Sequence, residues 1–225
     1  MSKQVQGMAD VRDMYMAHNM FRREFSLVPG LLRGVPEGDT RRSEVVGGHI
    51  DLLCRILHAH HEGEDMVVWP RLHERAGTEA AKIVSTMEGQ HATIEKLLTR
   101  VEDLLPAWQA TARGPRELAD VFEELYIALN EHMTMEENHI LPLAEKYITE
   151  LEWRELGGHG MDSFSKSELP LCFGLVMYET DPAVIKHVLE DKPLLVRLLV
   201  PRIAPRKFAA HAKRVHGTAT PARVS

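Results

Sequence analysis

Two eleven-residue segments of this 225-residue chain align without a gap, HHEGEDMVVWP at 60–70 and HMTMEENHILP at 132–142. Each starts with His, carries Glu four residues later and an acid next to it, and has Pro ten residues after the His. A further His precedes each segment at nearly the same distance, His18 by 42 residues and His91 by 41. His and Glu one helical turn apart share a face, so the repeat asks for two similar helical hairpins packed against each other.

The surrounding sequence has the matching period. Residues 10–148 read as four long helices, roughly 9–33, 39 to Trp69-Pro70, 79–110, and Pro115 to about Tyr147, divided by VPEGD, by a short break before 79 and by ARGP. Apolar residues recur every three or four positions. In the fourth helix the stripe 118, 122, 125, 129, 132, 136, 140, 143 includes His132 and Glu136. In the third, 87, 91, 94, 98, 101, 105 includes His91. In the second, Val45, His49, Leu52, Ile56, His60 and Glu64 share a face; in the first, 11, 15, 18, 21 or 22, and 25 include His18. No stretch alternates with period two long enough for a sheet. The expected fold is all-α, an antiparallel up-down four-helix bundle over residues 9–150, followed by a helical C-terminal extension over 151–225.

Six titratable groups on inward stripes, left unpaired, would each cost on the order of 1–3 kcal/mol, a sum comparable with the stability of a whole domain. A His and a Glu one turn apart can reach one cation, and two such pairs invite two cations bridged by the carboxylates. Imidazole with carboxylate and no thiolate favours iron, manganese or zinc. The candidate metal ligands are His18, His60, Glu64, His91, His132 and Glu136.

Composition is that of a folded domain rather than a disordered chain and excludes other classes. The formal charge is −6, with 27 basic and 33 acidic residues, which is not the footprint of a general nucleic-acid binder. Two cysteines, Cys54 and Cys172, cannot make a disulfide framework or a zinc ribbon. The first residues show no apolar leader and no apolar run is long enough for a membrane helix, so the expected location is the cytoplasm. Past residue 150, Gly157, Gly158 and Gly160 mark a hinge, and prolines punctuate short helical pieces. Residues 192–225 carry eight Lys or Arg and no acid, leaving 19 basic against 33 acidic residues in 1–191. Such a tail is expected to lie on the acidic bundle or in solvent, a membrane surface or partner being the alternative.

The set His18, His60-x-x-x-Glu64, His91 and His132-x-x-x-Glu136, with HHEGED and Pro70 and Pro142, resembles the hemerythrin-like, or HHE cation-binding, proteins. It is also similar to the actinobacterial type of these proteins, some linked to nitric oxide and peroxide responses. The resemblance covers roughly 10–148. It implies a non-heme di-iron centre, the four His as terminal ligands and the two Glu as bridges. It also implies binding or turnover of a small diatomic or peroxide ligand (O2, NO or H2O2), with a non-catalytic iron or oxygen sensor acting through a partner as the alternative. Oxygen-carrying members have a further His one turn before the position of His91, where this chain has Met87. Four His and two Glu would leave a position for water, Tyr15 or Glu88 and favour reaction over carriage.

Several polar residues receive other expectations. His49 is read as supporting or structural, His58, His61 and His73 as surface, and His139, seven residues after His132 on nearly the same side, is not counted among the ligands. Asp65 and Glu137 follow the two candidate ligand glutamates and could accept a hydrogen bond from a ligand imidazole or equally lie on a solvated face. A ferritin-like arrangement using Glu88-x-x-His91 and Glu136-x-x-His139 is disfavoured, because it leaves His18, His60 and His132 buried without a role.

Overall fold

The computed structural model describes residues 7–190 and 192–223. Residues 1–6, part of the stretch read as lacking an apolar leader, and 224–225 of the basic tail lie outside the described residues. Four long helices make the bundle: α1 (Arg12–Arg33), α2 (Thr40–Ala76), α3 (Thr78–Thr111) and α4 (Pro115–Met135). A π-helical turn, Glu136–Ile140, joins α4 to α5 (Leu141–Tyr147). The extension holds α6 (Glu150–Asp162), α7 (Leu169–Met177), α8 (Pro182–Leu189) and α9 (Leu194–His216). Among the described residues there is no strand beyond an isolated bridge between Met8 and Thr149, and no helix long and apolar enough to cross a membrane.

The boundaries follow local chemistry. Asp39 caps α2 by accepting from the Arg42 backbone N–H at 3.0 Å, satisfying an otherwise orphaned donor. Ala112 and Gly114, both at positive φ, turn the chain from α3 into α4, where Pro115 occupies the first turn. Thr149 and Glu152 form a capping box that starts α6. Two readings depart from expectation: α2 runs through Pro70 to Ala76, and Gly157, Gly158 and Gly160, expected as a hinge, lie inside α6.

Neighbouring helices pack α1 on α4, α4 on α3, α3 on α2 and α2 on α1, as an up-down bundle requires. The core is divided in two. One apolar cluster includes Phe21, Phe25, Leu57, Ile94, Phe122 and Leu129; the other includes Met14, Val68, Trp69, Met87, Ile140 and Trp153. Six ligand-type side chains fall near the boundary of these two groups, as His18 does between Met14 and Phe21 and His91 between Met87 and Ile94, so the sequence places a polar layer across the middle of the bundle.

The extension folds back on this bundle. Helix α6 lies along α2, and α7 packs between α1 and α9. Arg23 of α1, almost fully buried, donates from Nη1 to Glu179 Oε2 at 2.7 Å and from Nη2 to the Leu175 carbonyl at 2.9 Å. The basic segment expected as a tail is mainly helix α9, docked through Ala204, Phe208, Ala212 and Val215, with Lys207, Lys213 and Arg214 in solvent.

Candidate metal centre

All six sequence-selected residues meet in the polar layer. His18 comes from α1, His60 and Glu64 from α2, His91 from α3, His132 from α4, and Glu136 opens the π-turn. They form two overlapping groups that could each hold an ion: His18, His60, Glu64 and Glu136, and His61, Glu64, His91 and His132. Glu64 belongs to both. Its Oε1 lies 3.0 Å from His60 Nε2 and its Oε2 lies 3.3 Å from His91 Nε2. Glu136 Oε2 similarly faces His18 Nε2 at 3.2 Å and His132 Nε2 at 3.8 Å.

The seventh member corrects the sequence reading. His61, expected at the surface, is only 7% exposed, and its ring stacks on His91 with centroids 4.1 Å apart. A helix in a four-helix bundle faces two neighbours, so adjacent residues can both point inward on diverging arcs. His60 turns toward α1, with its ring 5.1 Å from Phe21, while His61 turns toward α3. A single-line stripe admits only one of them. The residues named as substitutes at the Met87 position stay outside, since Tyr15 is 41% exposed and Glu88 is an exposed partner of His73 at 3.6 Å. Met87 itself is buried in the second apolar cluster. The layer thus holds five His and two Glu, the fifth histidine coming from α2. Glu88 and His139 are both exposed, which removes the ferritin-like arrangement.

The donor atoms are unsatisfied. Nε2 of His18, His60, His61, His91 and His132, and both oxygens of Glu64 and Glu136, are buried without a hydrogen-bond partner. Several lie within ion-pair distance of one another yet are misaligned for hydrogen bonds, as expected of ligands converging on points between them. Buried polar atoms in folded proteins are almost always paired, so nine in one layer fit cations that complete them.

The opposite ring nitrogens are fixed from outside. His18 Nδ1 lies 2.8 Å from Glu137 Oε1, and His91 Nδ1 lies 2.8 Å from Asp65 Oδ1. These are the carboxylates that follow the two ligand-type glutamates. Arg22 holds Glu137 through Nη1 at 2.7 Å and Nη2 at 3.0 Å, and Trp69 Nε1 donates to Asp65 at 2.7 Å. His132 Nδ1 has a weaker contact, 3.4 Å to Gln90 Oε1. With Nδ1 carrying the proton, Nε2 presents its lone pair inward.

Charge is finely balanced among these side chains. Burial acts to lower the His18 and His91 pKa, but Glu136 and Glu137 for His18, and Asp65 and Glu64 for His91, raise each to about 9. Burial holds His60 and His61 well below the usual imidazole range and His132 at about 3. Burial, helped by Glu136, pushes Glu64 up to about 8; Glu136 is itself buried but is held low by His18.

A cavity of about 230 Å³ lies against the layer between α1, α2 and the extension, lined by Met14, Phe21 and His60 on the bundle side and by Glu150, Arg154 and His187 among others on the extension side. The π-turn places Glu136 within the layer and moves the buried stripe on by one residue, from 140 to 141, 144 and 148, so Leu143 is not the core position expected of it.

Comparison with known proteins agrees with this geometry. An uncharacterized hemerythrin-like protein of Schizosaccharomyces pombe is 25% identical over 96 residues, 43% of this chain and 44% of that protein, so the chain spans less than half of that relative. No solved structure matches. Residues 9–144, more than half of the chain, match the Hemerythrin HHE cation binding domain, and the chain belongs to that family.

Proposed function

We propose that His18, His60, His61, Glu64, His91, His132 and Glu136 hold two non-heme iron ions, with Glu64 and Glu136 bridging. We further propose that this di-iron centre binds or turns over a small diatomic or peroxide ligand, O2, NO or H2O2, in an oxidative or nitrosative stress response. The observation that supports it most directly is Glu64, whose two oxygens face His60 on one side and His91 on the other. Residues 9–150 are then the metal-holding unit and 151–225 its cover.

Bound iron would supply a redox-active Lewis-acidic centre for such a ligand. The protein's part is to prepare that centre. Glu137 and Asp65 orient the imidazoles of His18 and His91, and the two apolar clusters exclude bulk water above and below. The cavity beside His60 is large enough for a diatomic or peroxide, and its walls combine Met14, Met20 and Phe21 near the layer with charged groups such as Asp13, Glu150 and Arg154.

Anaerobic iron loading of the purified chain should give two irons per molecule, and fewer than about one would defeat the reading. His60→Ala and Glu136→Ala should lose iron. An optical spectrum that changes with NO or with peroxide identifies the reacting ligand, and one indifferent to both, and to O2, removes the redox part of the proposal.

A further inference from the structure

A second set of ligand-type side chains lies outside the bundle centre, where the last helix meets α1 and α2. Glu24 comes from α1, His49 from α2 and His216 from the end of α9. Glu24 and His49 are buried and the His216 side chain is only 6% exposed. Both imidazoles face one oxygen: His216 Nε2 is hydrogen-bonded to Glu24 Oε2 at 3.1 Å, and His49 Nε2 stands 3.2 Å from the same oxygen. Ligands about 2.0 Å from a tetrahedral ion stand about 3.3 Å apart. The bundle centre shows the same spacing, 3.2 Å between His18 Nε2 and Glu136 Oε2.

His49 Nε2 is the atom that asks for a ligand. It is buried, aimed at the carboxylate and without a hydrogen-bond partner. The atoms behind the three groups are already committed. Arg23 Nε donates to Glu24 Oε1 at 2.8 Å, leaving Oε2 toward the histidines, and the Arg23 charge is answered by Glu179. His211 Nε2 lies 3.1 Å from His49 Nδ1 and can accept its proton, the outer contact a metal-bound imidazole uses. Arg42 donates to the carbonyls of Arg214 and Val215, fixing the helix end that presents His216. A groove of about 330 Å³ reaches His49 and His211 from outside, with Glu44, Glu168, Arg55 and Arg214 also on its walls.

We propose that Glu24, His49 and His216 bind one divalent cation, with water as a fourth ligand, and that this ion ties the C-terminal helix to the bundle. Zinc fits best, because two imidazoles and one carboxylate at tetrahedral spacing suit an ion with no preference for six ligands. The site is independent of the di-iron reading, since it shares no residue with the central layer.

The test uses the full chain, stripped with chelator and reloaded with Zn2+ alone. Crystals of the wild type should show anomalous density at the zinc edge between Glu24, His49 and His216. Elemental analysis of Glu24→Gln and His216→Gln should find one zinc fewer than wild type, while His60→Ala keeps the junction peak. Peaks at the junction and in the bundle, or at the junction alone, support the site; the latter would count against the bundle reading only. Density confined to the bundle, or no density anywhere, overturns it. The crystal measurement needs no variant, so a substitution that fails to fold leaves the result intact.

Discussion

His61→Leu tests the departure from the sequence reading, since a surface histidine could be replaced at no cost. Leucine has similar volume, so the packing against His91 loses little. In chelated protein the change removes a buried Nε2 that has no partner. Relief of that desolvation cost should stabilise the chelated variant by about 1–3 kcal/mol. At about 2–4 °C per kcal/mol for a chain of this size, its Tm should rise by roughly 2–12 °C. Iron loading should act the other way. An ion held at 100–1,000 times its Kd contributes about 2.7–4.1 kcal/mol, so two ions raise wild-type stability by roughly 5–8 kcal/mol. Without His61 the group His61, Glu64, His91 and His132 loses a ligand, while His18, His60, Glu64 and Glu136 stay complete. The loading gain should therefore fall by about half, together with one iron per chain. Calorimetry of chelated and loaded samples, with iron analysis, reads both. An unchanged iron count and loading shift would show that His61 is not a ligand, and a lower chelated Tm would show that its Nε2 is satisfied by the protein.

Three further outcomes are expected. His18 and His91, held at about 9, and Glu64, at about 8, carry protons at pH 7 that a metal must displace. Loading at pH 7 in weak buffer should release two to three protons, and apparent affinity should climb as pH rises toward 9 and fall in acid; a pH-stat trace without release refutes this. Glu137→Ala leaves His18 Nδ1 and Arg22 without their carboxylate and should weaken metal retention by about 10–100-fold in a chelator competition, with unchanged competition as the contrary result. Gly174→Ala would put a Cβ 2.4 Å from the Ala204 carbonyl oxygen and 2.8 Å from Phe208 Cβ, so α7 must back away from α9. Overpacking of this kind costs about 1–3 kcal/mol, and a lowered Tm with unchanged iron content at the bundle centre is the expected pair of readings.

What the sequence revealed of this site, and what it hid, follows from how each residue is recognised. Six ligand-type residues were legible because they lie on the same inward lines as leucines and phenylalanines, and because a repeat doubled the signal. Asp65 and Glu137 were half legible: standing one residue past Glu64 and Glu136 left an imidazole contact and a solvated face equally open, and the structure shows the contact. His61 was hidden by that same repeat: the position matching it is Met133, an apolar residue, so twofold comparison gave it no partner. Yet Met133 is itself fully buried, which shows that both positions after the leading His face inward and differ only in what they offer. The π-turn was hidden because the period up to Glu136 is ordinarily helical, and one extra residue shows only as a shifted stripe beyond it. The junction of Glu24, His49 and His216 was hidden for a third reason. Two of its members lie 167 residues apart on helices that no shared period relates, and only the folding back of α9 brings them to one carboxylate oxygen. Periodicity identifies what faces inward within one packed unit; a site made by docking a second unit onto it leaves only an unexplained buried histidine on the first, as His49 was.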